Sequence, residues 1–112
     1  VTQILNTLEQ VQASTESSLY IFGQVTNCLR AYIKHRYGIE ALDLTTVELM
    51  DNLRQRELLP NDEFQILLDM LRRADLVKFA RAVPKHTVAQ QYATKAAEWI
   101  VAVEETLVDR VS

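Results

Sequence analysis

The sequence predicts an all-α fold, a compact bundle of five to six helices with the longest near 16–37 and 87–109. Three observations carry this reading. Apolar residues recur every three or four positions along most of the 112-residue chain. Only two glycines and two prolines occur, which suits long helices with short connections better than a sandwich of short strands. Capping signatures stand at the ends of the periodic segments. The length fits one domain that buries its own core without disulfides or metals. A composition of 48% hydrophobic and 24% charged residues is that of a globular chain, not a disordered one.

The first helix runs from Thr2 to about Ala13 on Ile4, Leu5, Leu8 and Val11. Ser14, Thr15, Ser17 and Ser18 then offer N-caps and mark a break. The second helix, from about Glu16 to Tyr37, places Leu19, Phe22, Val25, Leu29, Tyr32 and Ile33 in one stripe. Arg30, Lys34 and Arg36 crowd its last turns, where cations complement the dipole. Gly38 follows as a left-handed C-cap, with Ile39 as its accompanying apolar contact.

Leu44-Thr45-Thr46-Val47-Glu48 announces a third helix. Thr45 caps the Glu48 amide, the Glu48 carboxylate returns to the Thr45 amide, and Leu44 and Leu49 form a hydrophobic staple. This helix carries Val47, Met50 and Leu53 and ends near Gln55. After Leu58-Leu59-Pro60, Asn61 is the expected N-cap of a fourth helix, with Asp62 and Glu63 at the positive end of its dipole. Phe64, Leu67, Leu68 and Leu71 give it an inward face to about Arg73. Ala74 to Ala80 reads as a separate brief turn, capped by Asp75, with Leu76 and Phe79 pointing inward. Pro84 closes that turn, because a residue before proline avoids helical geometry. The last helix begins near Thr87, and Val88, Tyr92, Ala96, Trp99, Ile100, Val103 and Leu107 trace its buried face.

The residues needed for several kinds of chemistry are missing from this pattern. The two glycines are isolated, so no glycine-rich loop cradles a phosphate. His35 and His86 lie on different elements, each beside cations, with no ligand at short spacing. Cys28 is the single cysteine; it sits in an apolar stretch, reads as a core residue and permits no internal disulfide. The paired acids Asp62-Glu63 and Glu104-Glu105 point about 100° apart on a helix, so neither pair converges on one substrate atom. Glu104 and Glu105 read as a solvated face. No serine stands in a Gly-x-Ser-x-Gly elbow. The expectation is a domain that is not an enzyme, with no catalytic residue, cofactor or metal.

Charge is distributed unevenly. The total is −3, too mild for a nucleic-acid stripe. Between Arg72 and His86, however, Arg72, Arg73, Lys78, Arg81 and Lys85 stand against the single acid Asp75, a local net of +4. The acids Glu40, Asp43, Glu48 and Asp51 gather around the third helix. Such a bipolar field suits a protein–protein contact. Arg72, Arg73, Lys78, Arg81 and Lys85 are therefore the candidate partner-binding residues, beside the plain alternative that they are solvated residues around a turn.

Three segments carry a family resemblance. They are Tyr32-Ile33-Lys34-His35-Arg36-Tyr37-Gly38-Ile39, then Leu44-Thr45-Thr46-Val47-Glu48-Leu49, then Leu71-Arg72-Arg73-Ala74-Asp75-Leu76-Val77-Lys78-Phe79-Ala80. In this order, followed by Pro84, they resemble the cytoplasmic C-terminal helical domain of BatD-like proteins. Those are membrane-anchored products of the Bacteroides aerotolerance type of operon, which also encodes MoxR-type AAA+ ATPases and von Willebrand A proteins. The resemblance spans roughly Leu19 to Ile100. Leu58-Leu59-Pro60 departs from it, standing where a glycine-leucine is more usual.

The resemblance implies a non-enzymatic docking domain on the cytoplasmic face of a bacterial inner membrane. Its implied partners are the ATPase or a von Willebrand A protein, in stress tolerance. It makes Asp75 a cap, Leu76 and Phe79 a core plug, and Lys78 the exposed contact. A start at Val1 fits a fragment of a longer anchored protein, the membrane segment lying elsewhere. Two alternatives remain: a nucleic-acid-binding helical domain, and a small regulatory bundle whose ligand pocket is lined by Trp99, Tyr92 and Tyr32.

Overall fold

A computed structural model describes residues 1–79 and 83–111, with side chains to 107. Its helices are α1 (Thr2–Gln12), α2 (Ser18–Tyr37), α3 (Thr46–Gln55), α4 (Asn61–Phe79) and α5 (His86–Val111), with a 3-10 turn at Ala41–Asp43. The fold is all-α, and α2 and α5 are its longest elements. At 1.5 Å per residue the 26 residues of α5 run about 39 Å, close to the 40 Å long axis of the molecule.

The helix ends follow local chemistry. Ser17 caps α2, its hydroxyl accepting from the Tyr20 amide at 3.2 Å. Gly38 ends α2 with φ 72°, where a side chain would be strained. The predicted capping box of α3 is complete. Glu48 N–H donates to Thr45 Oγ1 at 3.2 Å, and Thr45 N–H donates to the Glu48 carboxylate at 2.9 Å. Hydrogen bonding of the Glu48 carboxylate to the Thr45 backbone amide, and then to its side chain, holds that carboxyl below its ordinary value.

The turn after α3 has a feature the sequence conceals. Glu57 adopts φ 52°, Leu58 N–H donates to Leu53 O and Glu57 N–H donates to Arg54 O. This is a Schellman ending with glutamate at the left-handed position that glycine usually fills. Glu57→Gly is expected to stabilise the fold by about 0.5–1 kcal/mol, because the strain of a β-carbon at positive φ is relieved. Urea unfolding of the two proteins measures it as a higher midpoint at unchanged slope.

One buried cluster joins all five helices. α1, α2 and α5 pack on one another pairwise, α4 lies against α2 and α5, α3 lies against α4, and the 41–43 turn lies against α2. α2 contributes Ile21, Phe22, Val25, Leu29, Tyr32 and Ile33. α5 contributes Ala89, Ala93 and Ala96, small residues that let neighbouring helices approach, beside Tyr92, Trp99, Ile100 and Val103. Gln90 closes the end of α1, its Nε2 donating to Gln12 O at 3.2 Å.

Trp99 and Tyr92 bury with their polar atoms satisfied. Trp99 Nε1 donates to Glu63 O at 2.8 Å and Tyr92 OH donates to Met70 O at 2.5 Å, so α5 is tied to α4 at two levels. Burial pushes the Tyr92 phenol up to about 12. Trp99 meets Tyr32 edge-on at 5.8 Å, and Tyr92 lies 4.3 Å from Phe22.

Several expected positions shift. α4 is unbroken from Asn61 to Phe79, and no separate turn starts at Ala74. Nothing from Arg72 to Phe79 interrupts a helix, and the inward period simply continues through Leu67, Met70, Leu71, Ala74 and Val77. The small Ala74 and Val77 occupy the buried sites. Leu76 and Phe79, expected to plug the core, are 65% and 74% exposed. Asp75 lies inside α4 and caps nothing. Phe64 N–H donates to Pro60 O, so Asn61 is the first helical residue and not the cap. Val47 and Leu19 also face outward, displaced from the core by Leu49 and by Phe22 with Ile21.

Candidate functional site

An open groove of about 940 Å³ lies between α2, the 41–46 segment and the carboxyl end of α4. Its floor is the α2 face of Phe22, Gly23, Thr26, Asn27 and Arg30, with Leu19 at one end. One lip is Leu42, Asp43 and Leu44 with the N-cap pair Thr45 and Thr46. The other is Ala74, Asp75, Val77, Lys78 and Phe79, joined by Val83. Leu42, Phe79 and Val83 on these lips are 51%, 74% and 72% exposed.

A polar network ties the two lips to each other. Arg30 reaches from α2 to donate through Nη1 to the carbonyls of Ala41 and Leu44, both at 2.6 Å, and through Nη2 to Thr46 Oγ1 at 3.4 Å. Thr46 Oγ1 in turn donates to Asp75 Oδ2 at 2.7 Å. One guanidinium therefore ties down the end of the 3-10 turn, joining the Leu44 amide on the Ala41 carbonyl and taking the carbonyl of Leu44 beside it. The threonine hydroxyl passes the link on to α4. Burial draws the Arg30 guanidinium down, and the Asp75 carboxylate opposes that pull.

A second cluster braces α2 against α5 behind the groove. Tyr32 OH donates to Glu104 Oε1 at 2.9 Å, and Arg36 pairs with both oxygens of the same carboxylate. Burial and the hydrogen bond to Glu104 push the Tyr32 phenol well above its usual value. Glu104 is thus half-buried and structural, a correction to the solvated face expected for it. The pair Lys34–Glu40 at 3.1 Å is exposed on both sides and contributes little.

Burial works against ionisation of Glu104, but hydrogen bonds from Arg36 and Tyr32 outweigh it and hold the carboxyl below its ordinary 4.5. A depressed folded-state value means stabilisation that is present above about pH 4.5 and lost as pH falls through the folded value. Glu104→Gln is expected to lose about 1 kcal/mol at pH 7 and progressively less as the pH is lowered into the acid range below 4.5. Thermal melts of both proteins across that pH range measure this.

The candidate cations that are described stand at different places relative to the groove. Arg72, Arg73, Lys78 and Lys85 are all exposed, and Arg81 lies outside the described residues. Lys78 lines the groove, its ammonium 5.3 Å from the Phe79 ring. Arg73 leans over Phe22 of the floor at 6.0 Å. Arg72 shares an outward face of α4 with Leu76, four residues on. Lys85 stands just before α5, away from the groove lining.

Trp99, Tyr92 and Tyr32, the suggested pocket lining, are core residues and none reaches the groove. Cys28 is buried on α2, and burial pushes its thiol up. His35 and His86 are exposed on different helices. Among the described residues no group of three His, Cys, Asp or Glu side chains is placed to hold a metal ion. No helix among them is long and apolar enough to cross a membrane.

The groove escaped the sequence because its parts are far apart. Arg30, Thr46 and Asp75 belong to three helices, and no short spacing links them. The one available signal was an arginine embedded in the apolar second helix, read only as a dipole partner. Compared with known proteins, the chain matches no family model, no curated protein and no solved structure. What fold and site define is therefore a class: an all-helical bundle with an open, apolar-lipped groove.

Proposed function

We propose that this chain is a protein-docking domain and that the groove between α2, the 41–46 segment and α4 receives its partner. The observation that carries the reading is the set of exposed apolar residues on the groove's lips, Leu42, Phe79 and Val83, with Lys78 among them. A contiguous apolar surface rimmed by polar groups is what interaction sites expose and what solitary domains avoid. No residue is assigned a catalytic role.

The order of the three motifs supports an address for this docking. It would lie on the cytoplasmic face of the bacterial inner membrane, within a BatD-like anchored protein. The partner would be a MoxR-type AAA+ ATPase or a von Willebrand A protein, in an assembly serving stress tolerance. In this reading Lys78, Arg73 and Arg72 steer an acidic partner surface, and the apolar lips supply the affinity.

The test is direct binding of the purified ATPase and von Willebrand A proteins from the same operon. Wild type is compared with Phe79→Ser and with the triple reversal Arg72→Glu, Arg73→Glu, Lys78→Glu. All four residues are exposed, so the variants keep the fold. An affinity loss of about tenfold, ~1.4 kcal/mol, is expected for each. Undiminished binding by both would remove the groove from the function.

A further inference from the structure

Resting on the docking reading, we infer that the occupant of the groove is an amphipathic helix of the partner, laid directly over Gly23. Glycine inside a helix destabilises it relative to alanine, so a mid-helix glycine asks for a reason. Gly23 has none within this fold. It is the sixth of the twenty residues of α2, it lacks the positive φ that marks Gly38, and a β-carbon placed on it would meet no atom of the described residues within 4 Å. Neither backbone geometry nor internal packing requires it.

Its position supplies the reason. Gly23 is exposed on the groove floor, between Leu19 and Asn27 one turn to either side. There the missing side chain leaves bare α2 backbone at the bottom of an apolar-lipped trough, where another backbone can approach closely. The trough is walled by the 42–46 segment on one side and the carboxyl end of α4 on the other, a shape that fits the helix-in-groove mode of recognition. Anchors at three- and four-residue spacing would fill the space between Leu42 on one lip and Phe79 with Val83 on the other.

The rim charges define the occupant further. Arg30 and Asp75 are committed to each other through Thr46. Asp43 and Lys78, on opposite lips, make no ion pair among the described residues. The matching helix carries an acid on the edge facing Lys78, a base on the edge facing Asp43, and a small residue where it crosses Gly23.

A displayed library of helical peptides of about 18 residues, five turns, tests this when panned on the wild-type chain. Enriched peptides are expected to show the apolar stripe with an acid on one edge. They should bind Gly23→Leu about tenfold more weakly, although the melting temperature of that variant is no lower than wild type. Lys78→Glu should weaken them about fivefold, and an acid-to-lysine change in the peptide should restore binding.

Three results would overturn the inference. One is no enrichment beyond that obtained on Gly23→Leu, and a second is enriched peptides without helical spacing. The third is a dimer in sedimentation that Gly23→Leu dissociates, which would make a second copy the occupant. Peptides that bind Gly23→Leu at full strength, while Phe79→Ser still impairs the ATPase or von Willebrand A protein, would sink the helix over Gly23 and leave the docking function standing.

Discussion

Trp99→Ala is expected to destabilise the chain by about 3–5 kcal/mol, the range for deleting a fully buried large aromatic. Trp99 is 2% exposed, meets Tyr32 edge-on at 5.8 Å and donates to Glu63 O at 2.8 Å. Alanine would empty the junction of α2, α4 and α5 at once. Because small domains hold only about 5–15 kcal/mol of net stability, the variant should unfold at much lower urea. Trp99→Phe separates the two contributions. It keeps most of the ring and loses the hydrogen bond, and the Glu63 carbonyl still faces its own helix, so about 1–2 kcal/mol is expected. The change removes the only tryptophan, so circular dichroism follows both variants.

Arg30→Met is expected to cost about 2–3 kcal/mol, and its effect should be local. The carbonyl of Leu44 and the hydroxyl of Thr46 lose the guanidinium, the carbonyl of Ala41 keeps only the Leu44 amide at 3.3 Å, and Asp75 loses a cation that interacts with it. Arg30 is only half-buried, which keeps the figure below that of a fully buried charge pair. The first structure to loosen should be the 41–46 segment, seen as faster hydrogen exchange there at unchanged exchange in α5. Arg30→Lys should rescue little, since one ammonium cannot span the two carbonyls and the hydroxyl that the planar guanidinium joins. With that lip released, partner binding should fall even under conditions where the bundle remains folded.

The helices themselves were legible because each announces itself locally. The Thr45–Glu48 box, the Gly38 cap and the stripe of α2 are short-range patterns, and apart from Leu19 they stand where expected. The differences over Ala74 to Phe79 have one cause. The larger apolar residues there look like core by size, whereas the helical period awards the core to Ala74 and Val77 and leaves Leu76 and Phe79 outside. Phase decides over size.

That misplacement hid the candidate site, because Phe79 and Lys78 form its lip only when they face out. Glu57 was invisible for another reason. The left-handed turn it occupies is normally signalled by glycine, and here the backbone takes the conformation without the signal. The Arg30–Thr46–Asp75 link, spanning sixteen and twenty-nine residues, is tertiary and leaves no local trace.

The central claim, that the groove is the docking surface, is tested most directly by where a partner touches the chain. Amide spectra of the labelled chain are recorded while the purified MoxR-type ATPase or von Willebrand A protein is added. The account predicts selective broadening or shifts at Gly23, Asn27, Asp43 and Lys78, with the outer faces of α1 and α5 undisturbed. Perturbations centred on α1 and α5, with the groove amides unchanged, would contradict it.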